Sequence, residues 1–223
     1  MEGATTMDKK QLVKLISYFA MGDGGLYVQD GGNAKFIMNM KAEHEDYCSW
    51  VASVISEVTG VSIKERKDYN TDGCIRQPQL RVESNRHPFL TTLRDRIYTE
   101  KYRGIDPHAL KLLDWEALAI LYMCDGSLGK DFRPEIGMKN PSYNVTLNLK
   151  RLSYGDLFIL KKALKETLGL EWNINKQGKY NYLRLRTKDV DNFMNGIRSY
   201  ILPSFQYKLL SERLTPEMGG DIV

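Results

Sequence analysis

Two acidic residues stand where the surrounding sequence leaves little room for a charge. Leu15-Ile16-Ser17-Tyr18-Phe19-Ala20-Met21-Gly22-Asp23-Gly24 and Leu118-Ala119-Ile120-Leu121-Tyr122-Met123-Cys124-Asp125-Gly126 are both apolar helical runs that end in Asp-Gly. A carboxylate at the end of an apolar helix is costly unless it has a partner or a task. One such end in each half of a 223-residue chain points to a duplicated unit that brings one acid from each half together. Carboxylates hold hard divalent cations, and such a cation can activate a water and stabilise a leaving oxygen. Phosphodiester hydrolysis needs both. Gly22, Ser17 and Ala20 beside the first acid, and Ala119 and Cys124 beside the second, are small enough to let two helix ends approach closely.

The elements that must position these acids repeat in order. Asp8 caps a helix over 9–21 whose apolar positions Leu12, Leu15, Ile16 and Phe19 follow helical spacing. A hairpin follows: a strand at 26–28, a turn at 29–33 and a strand at 34–41. Then come a helix over 43–59, strands at 61–69 and 77–84 joined by a polar loop at 70–73, and a helix over 89–98 opened by His87-Pro88. A connector runs from 99 to 112. The second half reads a helix over 114–124, a long hairpin with strands at 127–129 and 143–152 around Pro134 and Asn140-Pro141, and a helix to 168 capped by Ser153 with Asp156 in its first turn. Strands at 171–175 and 180–187, a helix over 189–200 and a short tail helix over 204–214 complete it. Each half is therefore helix, strand, strand, helix, strand, strand, helix. The expected fold is α+β, two pseudo-symmetric αββαββα units with antiparallel sheets and helices on one face. The units are expected at 7–104 and 105–214, with tails at 1–6 and 215–223.

Alternation along the strands predicts what the other sheet face carries. Phe36, Met38 and Met40 should face the helices; Lys35, Ile37, Asn39 and Lys41 should face away. Val61, Ile63, Leu80 and Val82 point in, while Lys64, Arg66, Gln77, Gln79, Arg81 and Glu83 point out. In the second half Val145, Leu147 and Leu149 alternate with Asn144, Thr146, Asn148 and Lys150. Trp172 and Ile174 alternate with Asn173 and Asn175, and Leu183 and Leu185 with Tyr182, Arg184, Arg186 and Lys188. The outward set is rich in Arg, Lys, Asn, Gln and Thr and poor in acids. Those side chains bond phosphates and base edges, and two such sheets side by side would form a basic saddle suited to a major groove.

Composition narrows the alternatives. The chain is 42% hydrophobic and 27% charged, with net charge +4 and pI near 8.8, an ordinary globular balance with a mild basic bias. Cys48, Cys74 and Cys124 form no CxxC pair, which argues against a disulfide framework or zinc knuckle. His44, His87 and His108 lack metal spacing, and no Gly-rich phosphate loop with a following Lys-Ser/Thr is present. Trp50, Trp115 and Trp172 fall on apolar faces and are expected in the core. No apolar run of about 18 residues occurs and the N-terminus lacks a signal core, so an intracellular protein without membrane contact is expected.

Leu113 to Gly126, LDWEALAILYMCDG, resembles the motif of the LAGLIDADG homing endonucleases, in particular their single-chain, two-motif branch. Tyr200-Ile201-Leu202-Pro203 followed by Tyr207-Lys208-Leu209 is similar to the same branch, and the likeness extends over about 11–209. The resemblance implies site-specific double-strand cleavage of a long, asymmetric DNA target by a monomer. It implies Mg²⁺ (or Mn²⁺) at Asp23 and Asp125, with Gly22 and Cys124 at the adjoining metal positions. It also implies a basic residue near each scissile phosphate. Lys208 matches one position; Arg103, or Lys101, falls at the other. Arginine stays protonated and cannot shuttle a proton, so with Arg103 there the two strands would be cut at different rates. Two departures stand out: Tyr18 replaces a usual glycine, and Met21 and Met123 take the place of the motif's first Asp. An intron RNA-splicing maturase and a DNA-binding regulator without cleavage are alternatives on the same fold.

Overall fold

The computed structural model describes residues 7–29, 31–66, 77–98, 103–131 and 142–209. Lys101, Cys74, the loop at 70–73, the hairpin loop around Pro134 and Asn140-Pro141, the strand end at 67–69 and the tails at 1–6 and 210–223 lie outside them. Asp8 caps α1 (Lys9–Met21) by accepting from the Gln11 amide at 2.8 Å. The first half continues with β1 (Gly24–Tyr27), β2 (Lys35–Lys41), a 3₁₀ turn at Ala42–His44, α2 (Glu45–Ser56), β3 (Val61–Arg66), β4 (Gln79–Ser84) and α3 (Pro88–Ile97). A one-turn helix, α4 (Pro107–Leu110), breaks the connector that the sequence reads as irregular. The second half runs α5 (Trp115–Asp125), β5 (Gly126–Asp131), β6 (Ser142–Leu147), α6 (Tyr154–Leu168), β7 (Trp172–Gln177), β8 (Tyr180–Leu185) and α7 (Val190–Ile197). Ser153 and Asp156 form a reciprocal capping box at α6, and Gly169 ends it in the left-handed conformation (φ 69°) that a Cβ would disfavour.

Each half builds a four-stranded antiparallel sheet, in the orders β1-β2-β4-β3 and β5-β6-β8-β7. The duplication is structural, therefore, and not only a matter of pattern. The register puts Asn39 beside Arg81 and Arg81 beside Lys64; Lys41 pairs with Gln79 and Gln79 with Arg66. Across the second sheet Ser127, Thr146, Arg184 and Asn173 form a comparable row. These rows lie on the face away from the core, because the alternating partners Phe36, Met38, Val82, Val145, Leu147 and Leu183 are buried.

Three strand readings change. Ile63 shares the inner face with Val82 yet is 40% exposed, because β3 is the edge strand and little covers it. β6 stops at Leu147, not at 152: the Asn148 amide bonds the Asp125 carbonyl (2.8 Å) and the chain then turns on itself, Lys150 N to Asn148 O (2.7 Å). β8 stops at Leu185, so Arg186 and Lys188 leave the strand; both pair with Glu171, at 2.6 and 3.1 Å. Of the three tryptophans Trp172 is fully buried, while Trp50 and Trp115 are partly buried against the core.

α1 and α5 pack against each other at the centre of the molecule, and their near-continuous burial explains the apolar character of both runs. At their N-terminal ends a polar clasp fixes the pairing. Lys14, 6% exposed, reaches Asp114 (2.5 Å) and Glu116 (2.7 Å), and Gln11 Nε2 donates to Glu116 (2.9 Å). Burial pushes the Lys14 pKa down, but hydrogen bonds and the charges of the two acids outweigh it and raise the pKa above its usual value. The cluster therefore stabilises the fold below the unfolded-lysine pKa and loses that contribution as pH rises through the raised one. Tyr18 does not wedge the two helices apart: its buried ring extends to α4, where the hydroxyl donates to the Ala109 carbonyl (3.4 Å). Ser17 donates to the buried Asp106 at 3.2 Å on the same side.

Candidate active site

The C-terminal ends of α1 and α5 meet at Gly22 and Cys124. A Cβ built on Gly22 would lie 2.5 Å from Cys124 Sγ and 2.8 Å from its Cβ. The absence of a side chain at Gly22 is what allows this approach. Gly22→Ala is expected to destabilise the fold by about 1–3 kcal/mol through overpacking. The Gly22→Ala/Cys124→Gly pair should recover much of that loss in a chemical-denaturation cycle; strict additivity would show the contact to be unimportant.

That approach sets Asp23 and Asp125 side by side. Both line a cavity of about 350 Å³ together with Asn148, Lys150 and Arg151. Asp23 also lines a second cavity of about 280 Å³ with Asn39, Lys41, His44, Gln79 and Lys208. Desolvation, and then the Asp23 charge, push the Asp125 pKa up to about 6 against the opposing pull of Arg103, Arg151 and Lys208. Asp23 is open to solvent at its surface but closely ringed by protein, and desolvation raises its pKa too. A hydrogen bond with Cys124 and the charges of Lys208, Arg151 and Arg103 counter that rise. Ionising both acids therefore carries a cost that added positive charge between them would lower.

The donor set fits a hard cation. Among the described residues no group of three or more His, Cys, Asp or Glu side chains gathers. Two carboxylates suffice for Mg²⁺ or Mn²⁺ when water and phosphate oxygens complete the shell. Cys124 contributes packing: burial pushes its thiol far up, so it stays protonated, and Sγ lies 3.1 Å from the Tyr47 hydroxyl. Gly22 has only its carbonyl to offer, and that carbonyl accepts from Arg103 Nη2 at 3.2 Å.

The two basic residues matched by the resemblance occupy related positions. Lys208 Nζ donates to the carbonyls of Tyr122 (3.2 Å) and Met123 (2.6 Å) at the end of α5, and the Tyr122 hydroxyl donates back to the Lys208 carbonyl (2.7 Å). Its ammonium faces the cavity that contains Asp23, and burial lowers its pKa. Arg103 is 7% exposed; its Nη2 donates to Gly22 O and Gly24 O (2.8 Å), and its ring-facing side stacks toward Tyr98. Arg103 thus grips the backbone on either side of Asp23 from beneath, and lines neither cavity.

Of the residues predicted to touch a polyanion, Asn39, Lys41, Gln79, Asn148 and Lys150 converge on the acids. Asn144, Thr146, Asn173, Asn175, Arg184, Lys64, Arg66 and Arg81 lie farther out along the sheets, and Gln77 is exposed just before β4. Lys35 is tied to Glu83 (2.5 Å), which also takes Arg81 (2.9 Å). Two residues escaped the sequence reading. His44 stacks on Phe205 (4.1 Å) and bonds Ser204 Oγ (3.1 Å). Arg151 lines the larger cavity. A repeat could have found both: Met38-Asn39-Met40-Lys41 and Leu147-Asn148-Leu149-Lys150 match, and each newly found residue lies just beyond one copy.

A family model described as the LAGLIDADG DNA endonuclease family matches residues 19–193. The chain belongs to the LAGLIDADG DNA endonuclease family. Its fold is similar to that of the homing endonuclease I-WcaI bound to its DNA recognition sequence, with a TM-score of 0.73 at 21% identity over 94% of this chain and 90% of that one. I-DmoI in complex with DNA and Ca matches at a TM-score of 0.50 and 17% identity, over 84% and 89% of the two chains. An uncharacterized protein of Methanocaldococcus jannaschii is 31% identical over 129 residues, 57% of this chain and 47% of that one. The chain spans about half the length of that curated relative. No helix among the described residues is long and apolar enough to cross a membrane.

Proposed function

We propose that this protein is a site-specific homing endonuclease that makes a double-strand break in a long, asymmetric DNA target by metal-dependent phosphodiester hydrolysis, acting as a monomer. The observation that carries this reading is the pair of carboxylates, Asp23 and Asp125, brought together at two abutting helix ends between two sheet faces lined with cations and amides. Each half, 7–104 and 105–214, would serve one DNA strand. The DNA-bound relatives support a duplex partner, and the presence of Ca in the I-DmoI complex supports use of a divalent cation.

Asp23 and Asp125 would hold Mg²⁺ or Mn²⁺, which when bound lowers the pKa of water and neutralises charge on the phosphate. The chain's own residues do the rest. Arg103 fixes the backbone beside Asp23, and Lys208 fixes the end of α5 while its ammonium adds positive charge facing Asp23. Asn39, Lys41, Gln79, Asn148 and Lys150 would seat the phosphates nearest the acids; the outer rows would read bases and backbone farther away.

The test is cleavage of a randomised plasmid library with Mg²⁺ or Mn²⁺ and with chelator. Sequence-specific, cation-dependent double-strand breaks are expected. Binding of a duplex without cleavage would favour the regulator reading, and intron RNA binding without DNA cleavage the maturase. Affinity for the selected duplex should fall by about 10³ between roughly 50 and 200 mM salt, as release of counterions from several contacted phosphates requires. A flat response in a fluorescence-anisotropy titration would count against the sheet faces as the interface.

A further inference from the structure

The two halves repeat the same elements, but they do not treat the acids alike. Gly24 pairs with Met38 and Gly126 with Leu147, so Asn39 corresponds to Asn148, Lys41 to Lys150 and Ala42 to Arg151. In the first half the strand stays in its sheet: β2 pairs with β4 through Lys41, and the Ala42 amide still reaches the Pro78 carbonyl (2.9 Å). In the second half pairing with β8 covers only Thr146 and Leu147. The chain then peels away, its turn closed by Lys150 N to Asn148 O and Leu152 N to Leu149 O (3.0 Å), and lines the cavity over Asp125.

This departure delivers Arg151 to the cavity wall. Arg151 is exposed and makes no hydrogen bond or ion pair among the described residues. Its neighbour Lys150 has no carboxylate partner there either; its ammonium lies 5.7 Å from the centre of the Tyr180 ring. The corresponding first-half positions are an alanine and a lysine already paired with Glu43 at 3.3 Å. Among the described residues, one side of the acid pair therefore presents a guanidinium fork that no hydrogen bond holds, well shaped for two phosphate oxygens, and the other side has no such fork.

We propose that Arg151 is a catalytic residue for one DNA strand only: it binds the scissile phosphate at the cavity it lines, and that strand is cut first, through a nicked intermediate. The proposal rests on the nuclease reading above. In the hydrolysis a water oxygen bonds to phosphorus as the bond from phosphorus to one ester oxygen breaks. The water releases a proton to solvent, and the departing oxygen takes one up. The guanidinium remains protonated throughout and serves by offsetting negative charge that builds on the phosphoryl oxygens.

The experiment uses a duplex recovered from the plasmid library, end-labelled on each strand in turn, with single-turnover cleavage in Mg²⁺. Wild type should cut one strand about tenfold faster or more, with nicked plasmid accumulating first. Arg151→Ala should slow that strand by about 10–100-fold and leave the other within about twofold, with Arg151→Lys in between. Because Arg151 is exposed, the melting temperature should fall only slightly, through loss of its charge beside the two acids. Equal slowing of both strands would show that Arg151 acts only through the shared acid pair, and no slowing would show no role; either overturns the proposal. Equal strand rates in wild type would also overturn it while leaving the nuclease reading intact. Absence of cleavage at any sequence sinks that reading and this proposal with it.

Discussion

Asp125→Asn is expected to abolish cleavage and, at the same time, to stabilise the metal-free protein. The neutral amide keeps the shape of the carboxylate but cannot hold a divalent cation as tightly. Loss of about 4 kcal/mol of transition-state stabilisation would slow cleavage roughly a thousandfold. The stability change has the opposite sign. Folding raises the Asp125 pKa to about 6 from 3.8. A carboxylate raised on folding destabilises the native state once it ionises, and this penalty is absent below the unfolded pKa and complete above the folded one. At pH 7.5 the variant should therefore gain about 2 kcal/mol, or roughly 4–8 °C in melting temperature, and the gain should shrink as pH falls from 6 toward 4. Adding Mg²⁺ should raise the melting temperature of wild type and leave the variant unchanged. A variant that melts lower than wild type at pH 7.5 without metal would refute the picture of two strained acids. One that still cuts at the wild-type rate would refute the role of Asp125.

Arg103→Ala should be the most damaging single change to the fold near the site. The side chain is 7% exposed and its Nη2 serves two carbonyls, those of Gly22 and Gly24. Removing it strands both carbonyls in a protein interior and leaves a void beside Tyr98, at a cost of about 3 kcal/mol or more. For a chain of this size that lowers the melting temperature by roughly 6–12 °C. Asp23 lies between the two gripped residues, so cleavage should also fall although Arg103 lines neither cavity. Thermal denaturation of Arg103→Ala and Arg103→Lys separates the roles: lysine keeps the charge but loses the fork, and should recover only part of the stability. Full recovery of stability in Arg103→Lys would mean that charge alone matters there.

Local pattern is enough to read the duplication, the order of elements and the two acids. These are written in local terms: a 3.6-residue apolar period, caps at Asp8 and Ser153, turn glycines, and alternation of two along strands. The inner faces of the sheets follow from the same alternation, which is why Phe36, Met38, Val82, Val145 and Leu183 are buried as read. The resemblance to the LAGLIDADG family, carried by Leu113 to Gly126 and by the segment around Lys208, agrees with the family match.

Contacts between segments distant in the chain lie beyond any local pattern. The resemblance sets Lys208 at one scissile phosphate and Arg103, or Lys101, at the other; packing puts Lys208 at a cavity wall and Arg103 against the backbone beside Asp23. Tyr18 stands where the family usually has glycine, and the short helix α4 gives its ring a place away from the helix seam. Alternation continues past Leu147 in the sequence, but after one last bond in register, from the Asn148 amide to the Asp125 carbonyl, the chain closes a tight turn through Lys150 N to Asn148 O and the strand ends. A periodic pattern reports which face a residue would take if the element continued. It carries no information about how far the neighbouring strand stays in reach, and the loss of pairing with β8 beyond Leu147, with the turn that follows, is what brings Arg151 beside the two acids.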